Sequence, residues 1–275
     1  MKIRPSTFAF TVLLASLAAL PPLATDMMLS ALPVIGGALR ASATTAGYAI
    51  SFFFIGFAAA QLVFGPCSDR FGRRPVGMAG CALFAVAGFG CTFAQSISTL
   101  LAWRVAQGVG AGASAVLAFA IVRDSFSGAA AQVRFAHVSA CMAFAPMVAP
   151  TLGAGLYTVA GWRAIFALLG VAGLVLVAAL SLGFEESLAA SNRISLHPSA
   201  LARNYARVLS HPAVHIYSLL ATFTFGAMMS YVTMSPFVFI ERLGLNRAQF
   251  GFMFFLTASG IMTGSALSGW LIHRF

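Results

Sequence analysis

The chain has 275 residues and a net charge of +10; 60% of its residues are hydrophobic and only 8% are charged. A water-soluble globule of this composition would lack the polar surface needed to cover it, which excludes a soluble enzyme. Lipid is therefore the expected solvent. The predicted fold class is all-α, a polytopic helix bundle in a membrane.

About eight apolar stretches are long enough to cross a bilayer core of about 30 Å, which takes roughly 20 helical residues. Charged residues collect between these stretches. Runs of this length favour helices over the alternating strands of a membrane barrel, which have roughly 10 residues each. The predicted spans cover residues 8–32, 46–66, 76–95, 98–121, 136–158, 162–183, 212–238 and 250–272.

The basic residues sort by membrane side, which argues against a nucleic-acid partner. If the N-terminus is cytoplasmic, most of them lie inside, as the positive-inside rule requires. We therefore predict a multi-pass protein of the cell inner (plasma) membrane that contacts anionic lipid. A cleaved signal peptide is a weaker interpretation, because the first apolar run exceeds a typical signal core. The predicted inside residues are Lys2, Arg4, Arg70, Arg73, Arg74, Arg123, Arg134, Arg193, Arg203, Arg207 and Arg274; the outside ones are Arg40, Arg163, Arg242 and Arg247.

Residues that carry enzyme or cofactor chemistry are missing from the sequence pattern. The four cysteines have no short paired spacing, so neither a metal site nor a disulfide framework is predicted. No phosphate-binding loop or nucleophile elbow occurs. We predict no cofactor, no metal and no catalytic residue, and an ion gradient rather than ATP as the energy source.

Residues 184–211 form the longest loop and the predicted domain boundary. It divides a six-helix bundle, residues 1–183, from residues 212–275, and is itself a predicted cytoplasmic linker. The second part repeats the first without a gap. The matching pairs are Gly251 with Gly47, Gly260 with Gly56, Gly269 with Gly65, Arg274 with Arg70 and Phe275 with Phe71. On a plan of two parallel repeats the second bundle is incomplete, so we expect the chain not to transport alone.

The turn from Gly65 to Val76 has the most specific pattern in the sequence. Two glycines permit a tight reversal, Asp69 is placed to accept from helix-end amides, and arginines hold the cytoplasmic face. The turn resembles the loop between helices two and three of the major facilitator superfamily, with Cys67 where that family usually has Leu. The resemblance implies a cytoplasmic gating turn made of Gly65, Asp69, Arg70, Gly72, Arg73 and Arg74.

Two further stretches are similar to the same superfamily. Arg104, Gln107 and Gly108 resemble its fourth-helix motif, in which Gly108 and Gly112 would form a close-packing face. Pro146, Pro150 and Gly153, in a segment that also contains Ala145, Ala149 and Gly155, resemble its fifth-helix antiporter motif. Ala149 stands where that motif normally has Gly, and the two prolines should bend the helix on one face.

The first helix resembles the Bcr/CflA drug-resistance transporters, a drug/proton antiporter subfamily. Residues 21–34 read PPLATDMMLSALPV, with an Asp in the first helix before a Met and a Pro-containing exit. Shorter matches to that subfamily are Gly161, Trp162, Arg163 and Phe166 in the sixth helix, and Ser235, Pro236 and Phe237 in the seventh.

Asp26 and Arg104 are the two charged residues buried deepest in the predicted spans, at matching depths of roughly 10 Å below the outer helix ends. Buried charge in a bilayer persists only when paired or wet. We expect both side chains to face one central cavity, where Asp26 exchanges a proton while substrate and Arg104 compete for its charge. A fixed structural ion pair is the alternative. Met27, Met228 and Tyr231 are the predicted substrate contacts.

The predicted function is proton-coupled export of drug-like small molecules by alternating access, with protons, substrate and membrane lipid as partners. Uptake of a metabolite by a facilitator or symporter of the same superfamily remains an alternative. A non-functional truncated membrane protein is the other.

Overall fold

The computed structural model describes residues 3–257 except 6, 190, 192, 194–197 and 247, and also residues 259, 260 and 263. This part of the chain is almost entirely helical. Apart from one isolated bridge between Ile3 and Phe184, it contains no β-structure. The predicted all-α membrane bundle is confirmed.

Seven spans in the described residues are long and apolar enough to cross a membrane. The first consists of two α-helices joined by the 3₁₀ turn Leu29–Ala31, and the seventh continues into the π-helical segment Phe237–Arg242. A further helix, α8, lies between the sixth and seventh spans. The bounds are α1 Phe8–Asp26, α2 Leu32–Ala38, α3 Ala43–Phe71, α4 Arg73–Thr92, α5 Ile97–Ser125, α6 Gly128–Ala160, α7 Trp162–Leu182, α8 Pro198–Leu209 and α9 Pro212–Pro236.

The eighth predicted span is described only in part, as helix α10, Ala248–Thr257. Three residues of the repeat, Gly269, Arg274 and Phe275, lie outside the described residues, as do Lys2 and Arg247. The eighth span and the repeat therefore stay predictions.

The helix starts follow from local sequence. A hydroxyl side chain precedes several helices and accepts from a backbone amide of the first turn, which would otherwise lack a partner. Thr7 caps α1 through the amide of Phe10, and Ser42 caps α3 through the amide of Thr45. Ser96 caps α5 in the same way. These caps fix where three membrane helices begin.

The first span is broken in its middle, although its sequence is continuously apolar. Pro21 and Pro22 lie inside α1 and lack the amide hydrogens that would support the preceding turn. The Thr25 hydroxyl lies 3.2 Å from the Pro21 carbonyl oxygen and 3.1 Å from that of Pro22. Helix α1 ends at Asp26, and α2 carries the span on to Ala38. The span is therefore longer than predicted, and it is discontinuous at its one acidic residue.

Glycines bring α3 and α5 into backbone contact. A Cβ built on Gly108 would lie 1.9 Å from the carbonyl oxygen of Phe53, and one on Gly112 would lie 2.6 Å from the Ala60 Cβ. On the facing helix, a Cβ on Gly56 would lie 2.1 Å from the Val105 carbonyl oxygen. Small residues let membrane helices approach this closely. Gly108 and Gly112 thus lie on the predicted close-packing face.

Several predicted cytoplasmic segments meet at one end of the bundle. The amide of Ile3 donates to the carbonyl of Gly183 at 2.8 Å, which joins the start of α1 to the end of α7. Arg73, at the start of α4, contacts Asp124 near the end of α5. We call this end of the bundle the turn side.

A first prediction concerns the α3–α5 contact. Gly108→Ala places a methyl group against backbone and should lower the free energy of unfolding by about 1–3 kcal/mol. Gly155→Ala is the matched control in α6, because a Cβ there meets nothing within 4 Å. The control should be neutral or stabilise by up to about 1 kcal/mol. Unfolding of the detergent-purified variants measures both; equal stability of the two would contradict the close contact.

Candidate functional site

A cavity of about 390 Å³ lies between α1, α3, α6, α9 and α10. Its volume falls within the range of small-molecule sites, which is roughly 300–1,000 Å³. The described lining is aromatic and aliphatic except for Thr25, Asp26, Tyr231 and Thr257. The lining residues are Pro21, Pro22, Thr25, Asp26, Phe54, Phe57, Met142, Ala143, Pro146, Phe225, Met228, Met229, Tyr231, Val232, Phe254 and Thr257.

Asp26 is the only carboxylic acid among the described residues that line this cavity. It is the last residue of α1, at the break in the first span, and only 6% of its surface is exposed. The Thr25 hydroxyl donates to its Oδ1 at 3.0 Å. An acid in this position can gain or lose a proton or pair with a cationic group in the cavity, because each change neutralises or exposes a charge in a mainly apolar site.

Arg104 is fully buried and is not among the residues that line the cavity. Its Nε donates to the Ala49 carbonyl at 3.1 Å, and its Nη1 donates to the Ala24 carbonyl at 3.2 Å and to Gln107 Oε1 at 2.6 Å. The guanidinium also lies 4.4 Å from the centre of the Phe53 ring. Arg104 thus connects α5 to α3 and to the last turn of α1.

The prediction that Asp26 and Arg104 face one cavity is wrong for the described arrangement. No carboxylate of the described chain lies within ion-pair distance of the Arg104 guanidinium. Depth along two helices was inferred from the sequence, but rotation about the α5 axis directs Arg104 toward backbone carbonyls instead. The alternative of a fixed Asp26–Arg104 ion pair fails for the same reason.

Three polar atoms near this break lack a protein partner among the described residues. They are Arg104 Nη2, Gln107 Nε2 and Ser30 Oγ, all buried. Buried polar atoms normally have a partner, and each unpaired one raises the energy of this arrangement. The region around the break therefore has unused hydrogen-bonding capacity.

Of the predicted substrate contacts, Met228 and Tyr231 line the cavity and Met27 does not. Met27 is 3% exposed, and a Cβ built on Gly153 would lie 1.8 Å from its carbonyl oxygen, so this backbone packs against α6. The Tyr231 hydroxyl lies 3.1 Å from Thr257 Oγ1, which supplies the polar partner expected for a phenol in an apolar wall. Phe54, Phe57 and Phe225 were not predicted.

The fifth-helix motif lies on the face of α6 toward α1. Pro146 lines the cavity, while Pro150 is buried. Gly153 permits the contact with Met27 described above. Gln107, from the fourth-helix motif, accepts from Arg104 and does not reach the cavity. Gly153 thus packs directly against the broken first span, and Gln107 contacts it indirectly, through Arg104.

At the turn side, Arg73 is the centre of the predicted gating turn. It is 2% exposed and forms ion pairs with Asp69 at 2.6 Å and with Asp124 at 2.7 Å. Its Nη1 also donates to Ser68 Oγ at 2.5 Å. The turn is therefore fixed to the end of α5 by a buried guanidinium.

Other members of the turn have different roles. Arg74 donates to the carbonyls of Leu180 and Ser181 at the end of α7. The Arg70 guanidinium lies 5.3 Å from the Phe71 ring centre. A Cβ built on Gly65 would have no neighbouring atom within 4 Å.

Glu186 is a residue of this site that the sequence reasoning missed. Its carboxylate accepts from the amide of Arg73 at 2.8 Å and from that of Arg74 at 3.1 Å, which caps α4. Gly72, with φ +100°, makes room: a Cβ there would lie 2.4 Å from Glu186 Oε2. The prediction that Asp69 accepts from helix-end amides is wrong, because Asp69 pairs with Arg73. Glu186 is one of only six acidic residues in the chain, and that scarcity was the available signal.

The fold and the site define a class of protein: a polytopic helical membrane protein with a ligand-sized cavity at a broken helix and a charged turn on one side. The family model described as Major Facilitator Superfamily matches residues 14–275. The chain belongs to this superfamily of transporters.

Its relatives include drug-resistance proteins. The chain is 31% identical to "Bicyclomycin resistance protein homolog" of Haemophilus influenzae over 100% of this chain and 69% of that protein. It is 30% identical to "Chloramphenicol resistance protein" of Pseudomonas aeruginosa, over 99% and 64% respectively. "Uncharacterized MFS-type transporter YdgK" of Bacillus subtilis is 34% identical, over 95% and 65%. The chain therefore spans about two thirds of the length of these relatives.

Solved structures of transporters have the same fold. A bacterial homologue of the human lysosomal transporter Spinster, in an inward-facing and occupied conformation, matches with a TM-score of 0.80 and 18% identity. The match covers 96% of this chain and 61% of that one. A D-xylose-proton symporter matches with a TM-score of 0.66 and 15% identity, over 98% and 69%.

A second prediction tests the cap on α4. Glu186→Ala removes both acceptors and should lower the free energy of unfolding by about 1 kcal/mol. It should also speed proteolysis of residues 184–211, which the cap holds to the turn. Glu241→Gln, a charge loss at an exposed position in the π-helical segment, is the control and should change neither. Equal proteolysis rates in wild type and Glu186→Ala would contradict the capping role.

A third prediction tests whether Arg104 stabilises the protein through the hydrogen bonds of its guanidinium or through its positive charge. Arg104→Lys keeps the charge, but one ammonium group cannot reach all three acceptors. We expect a loss of about 1–3 kcal/mol in unfolding free energy. Arg40→Lys, at an exposed position, should be neutral. If Arg104→Lys is as stable as wild type, charge alone accounts for the residue.

Proposed function

We propose that the chain is part of a proton-coupled exporter of amphipathic, drug-like molecules that works by alternating access. One observation carries the proposal: Asp26 is the one acid among the described residues that line a mainly apolar, ligand-sized cavity. Acids of this kind in membrane proteins mark ion and proton pathways.

The lining favours an amphipathic substrate over a sugar. A sugar needs many hydrogen-bonding partners, whereas the described lining offers four polar side chains among sixteen. Phenylalanine and methionine side chains supply adaptable apolar contacts that suit varied ligands. The names of two relatives, which refer to bicyclomycin and chloramphenicol resistance, support export of drug-like molecules. Uptake of a polar metabolite is accordingly the weaker alternative.

Coupling follows from competition for Asp26. A proton neutralises the carboxylate when the cavity is empty, and a cationic substrate replaces that proton when it binds. The two ligands then cannot occupy the site together, so their opposite movements are linked. Arg104 takes a positioning role in this proposal, because its bond to Ala24 holds the turn of α1 that ends at Asp26.

The proposal also covers the location of the protein, its orientation in the membrane and the motion of its bundles. We propose an inner-membrane location with the N-terminus, the turn side and residues 184–211 in the cytoplasm, following the distribution of basic residues. Residues 1–183 would form one bundle that rocks against the part that begins at residue 212. The Arg73 ion pairs would open and close with that motion.

The fourth prediction tests the competition. Titration of the detergent-purified chain with tetraphenylphosphonium should release close to one proton for each cation bound. Affinity should fall as the pH falls, by up to about tenfold per pH unit, because the proton competes for the same carboxylate. Calorimetry in buffers of different ionisation enthalpy measures both quantities.

Asp26→Asn should abolish the proton release and make the affinity independent of pH. Glu241→Gln is the control and should behave like wild type. Proton release that persists undiminished in Asp26→Asn would exclude Asp26 as the coupling group.

A further inference from the structure

Helix α8, Pro198–Leu209, has two chemically different faces. At the helical spacing of about 100° per residue, Leu201, Tyr205, Val208 and Leu209 lie on one side, and Arg203 and Arg207 lie on the other. Both arginines are exposed, and so are Val208 and Leu209, at 55% and 58%. The protein fold therefore leaves parts of both faces uncovered.

One contact fixes the level of α8 along α3. The Tyr205 hydroxyl donates to the carbonyl of Leu62 in α3 at 2.7 Å. Helix α3 has 29 residues and is about 43 Å long, which exceeds a hydrocarbon core of about 30 Å by roughly 13 Å. The charged residues of α3, Asp69 and Arg70, both lie at its C-terminal end, so we place the excess length there. Leu62 is about 13 Å from the end at Phe71 and thus near the level where hydrocarbon gives way to headgroups.

The charges on α8 and in the chain around it are basic, while Asp69, Asp124 and Glu186 at the turn side bond to Arg73 or to the start of α4. The sequence contains no acidic residue from 187 to 240, whereas Arg193, Arg203 and Arg207 all lie in that stretch. Arg70, at the end of α3, is exposed as well. A surface of this charge at headgroup level complements anionic phosphates.

We propose that α8 is a membrane-surface helix that binds anionic phospholipid. Arg203 and Arg207 contact the headgroup phosphates, while Val208 and Leu209 insert among the first methylenes of the acyl chains. Because Tyr205 ties α8 to α3, the lipid also orders the linker next to the gating turn. This inference is independent of the proposed function, since it needs neither Asp26 nor the cavity.

The experiment measures amide hydrogen exchange of residues 199–209 in the full chain. One sample is in nanodiscs of phosphatidylcholine alone, and the other is in equal parts phosphatidylcholine and phosphatidylglycerol. Exchange should be on the order of tenfold slower in the anionic nanodiscs, given the attraction of two arginines to the surface. Equal exchange in the two lipids would overturn the proposal.

Three comparisons sharpen the result. Arg203→Gln/Arg207→Gln should lose the slowing, whereas Arg40→Gln/Arg242→Gln, which removes the same charge at exposed positions outside α8, should keep it. Val208→Gln/Leu209→Gln retains both arginines but should reduce the slowing, because insertion is lost. If Arg40→Gln/Arg242→Gln abolishes the slowing, the proposal fails. It also fails if Val208→Gln/Leu209→Gln leaves the slowing unchanged. Glycerol phosphate added to neutral nanodiscs should not slow exchange; if it does, free phosphate and not the membrane surface is the ligand.

Discussion

The break in the first span is the constraint on which the described site depends. In lipid, a helix that stops mid-membrane leaves carbonyl groups without partners, and nothing in the surrounding hydrocarbon can supply them. Here Arg104 donates to the Ala24 carbonyl in the last turn of α1 and to the Ala49 carbonyl in α3. Glycine contacts bring α5 close enough to α3 for that reach. The break in turn leaves Asp26 at a helix end, in a wall that is mainly apolar.

The turn side solves a similar problem at a helix start. The N-terminus of α4 has no side-chain cap of its own, because Gly72 occupies the cap position. Glu186 accepts from its first amides from the chain beyond α7, and Arg73 pairs with Asp69 in α3 and with Asp124 in α5. Three segments that are distant in sequence thus meet around one turn. Because Glu186 caps α4, a movement of the linker that carries it would remove hydrogen bonds from this helix end.

Much of the fold could be predicted from sequence, but the site could be predicted only in part. Apolar length alone located the seven spans of the described chain, and the position of a charged residue deep inside an apolar span identified Asp26 as a candidate. The orientation of Arg104 could not be obtained in this way, because periodicity gives depth and not the rotation of one helix against another. Glu186 escaped detection because loop residues have no periodic pattern. The phenylalanines of the cavity could not be identified from sequence, because the chain has 26 phenylalanines and no sequence pattern distinguishes those that line a cavity from those that pack or face lipid.

In the proposed function, one acid in a mainly apolar cavity exchanges its proton for substrate. Infrared difference spectroscopy of the purified chain observes this group directly, through the carbonyl stretch that a protonated carboxylic acid has and a carboxylate lacks. Addition of a lipophilic cation should remove this band in wild type, and the band should be missing from the difference spectrum of Asp26→Asn. A band that persists when the cation is bound, or one that Asp26→Asn retains, would contradict the account.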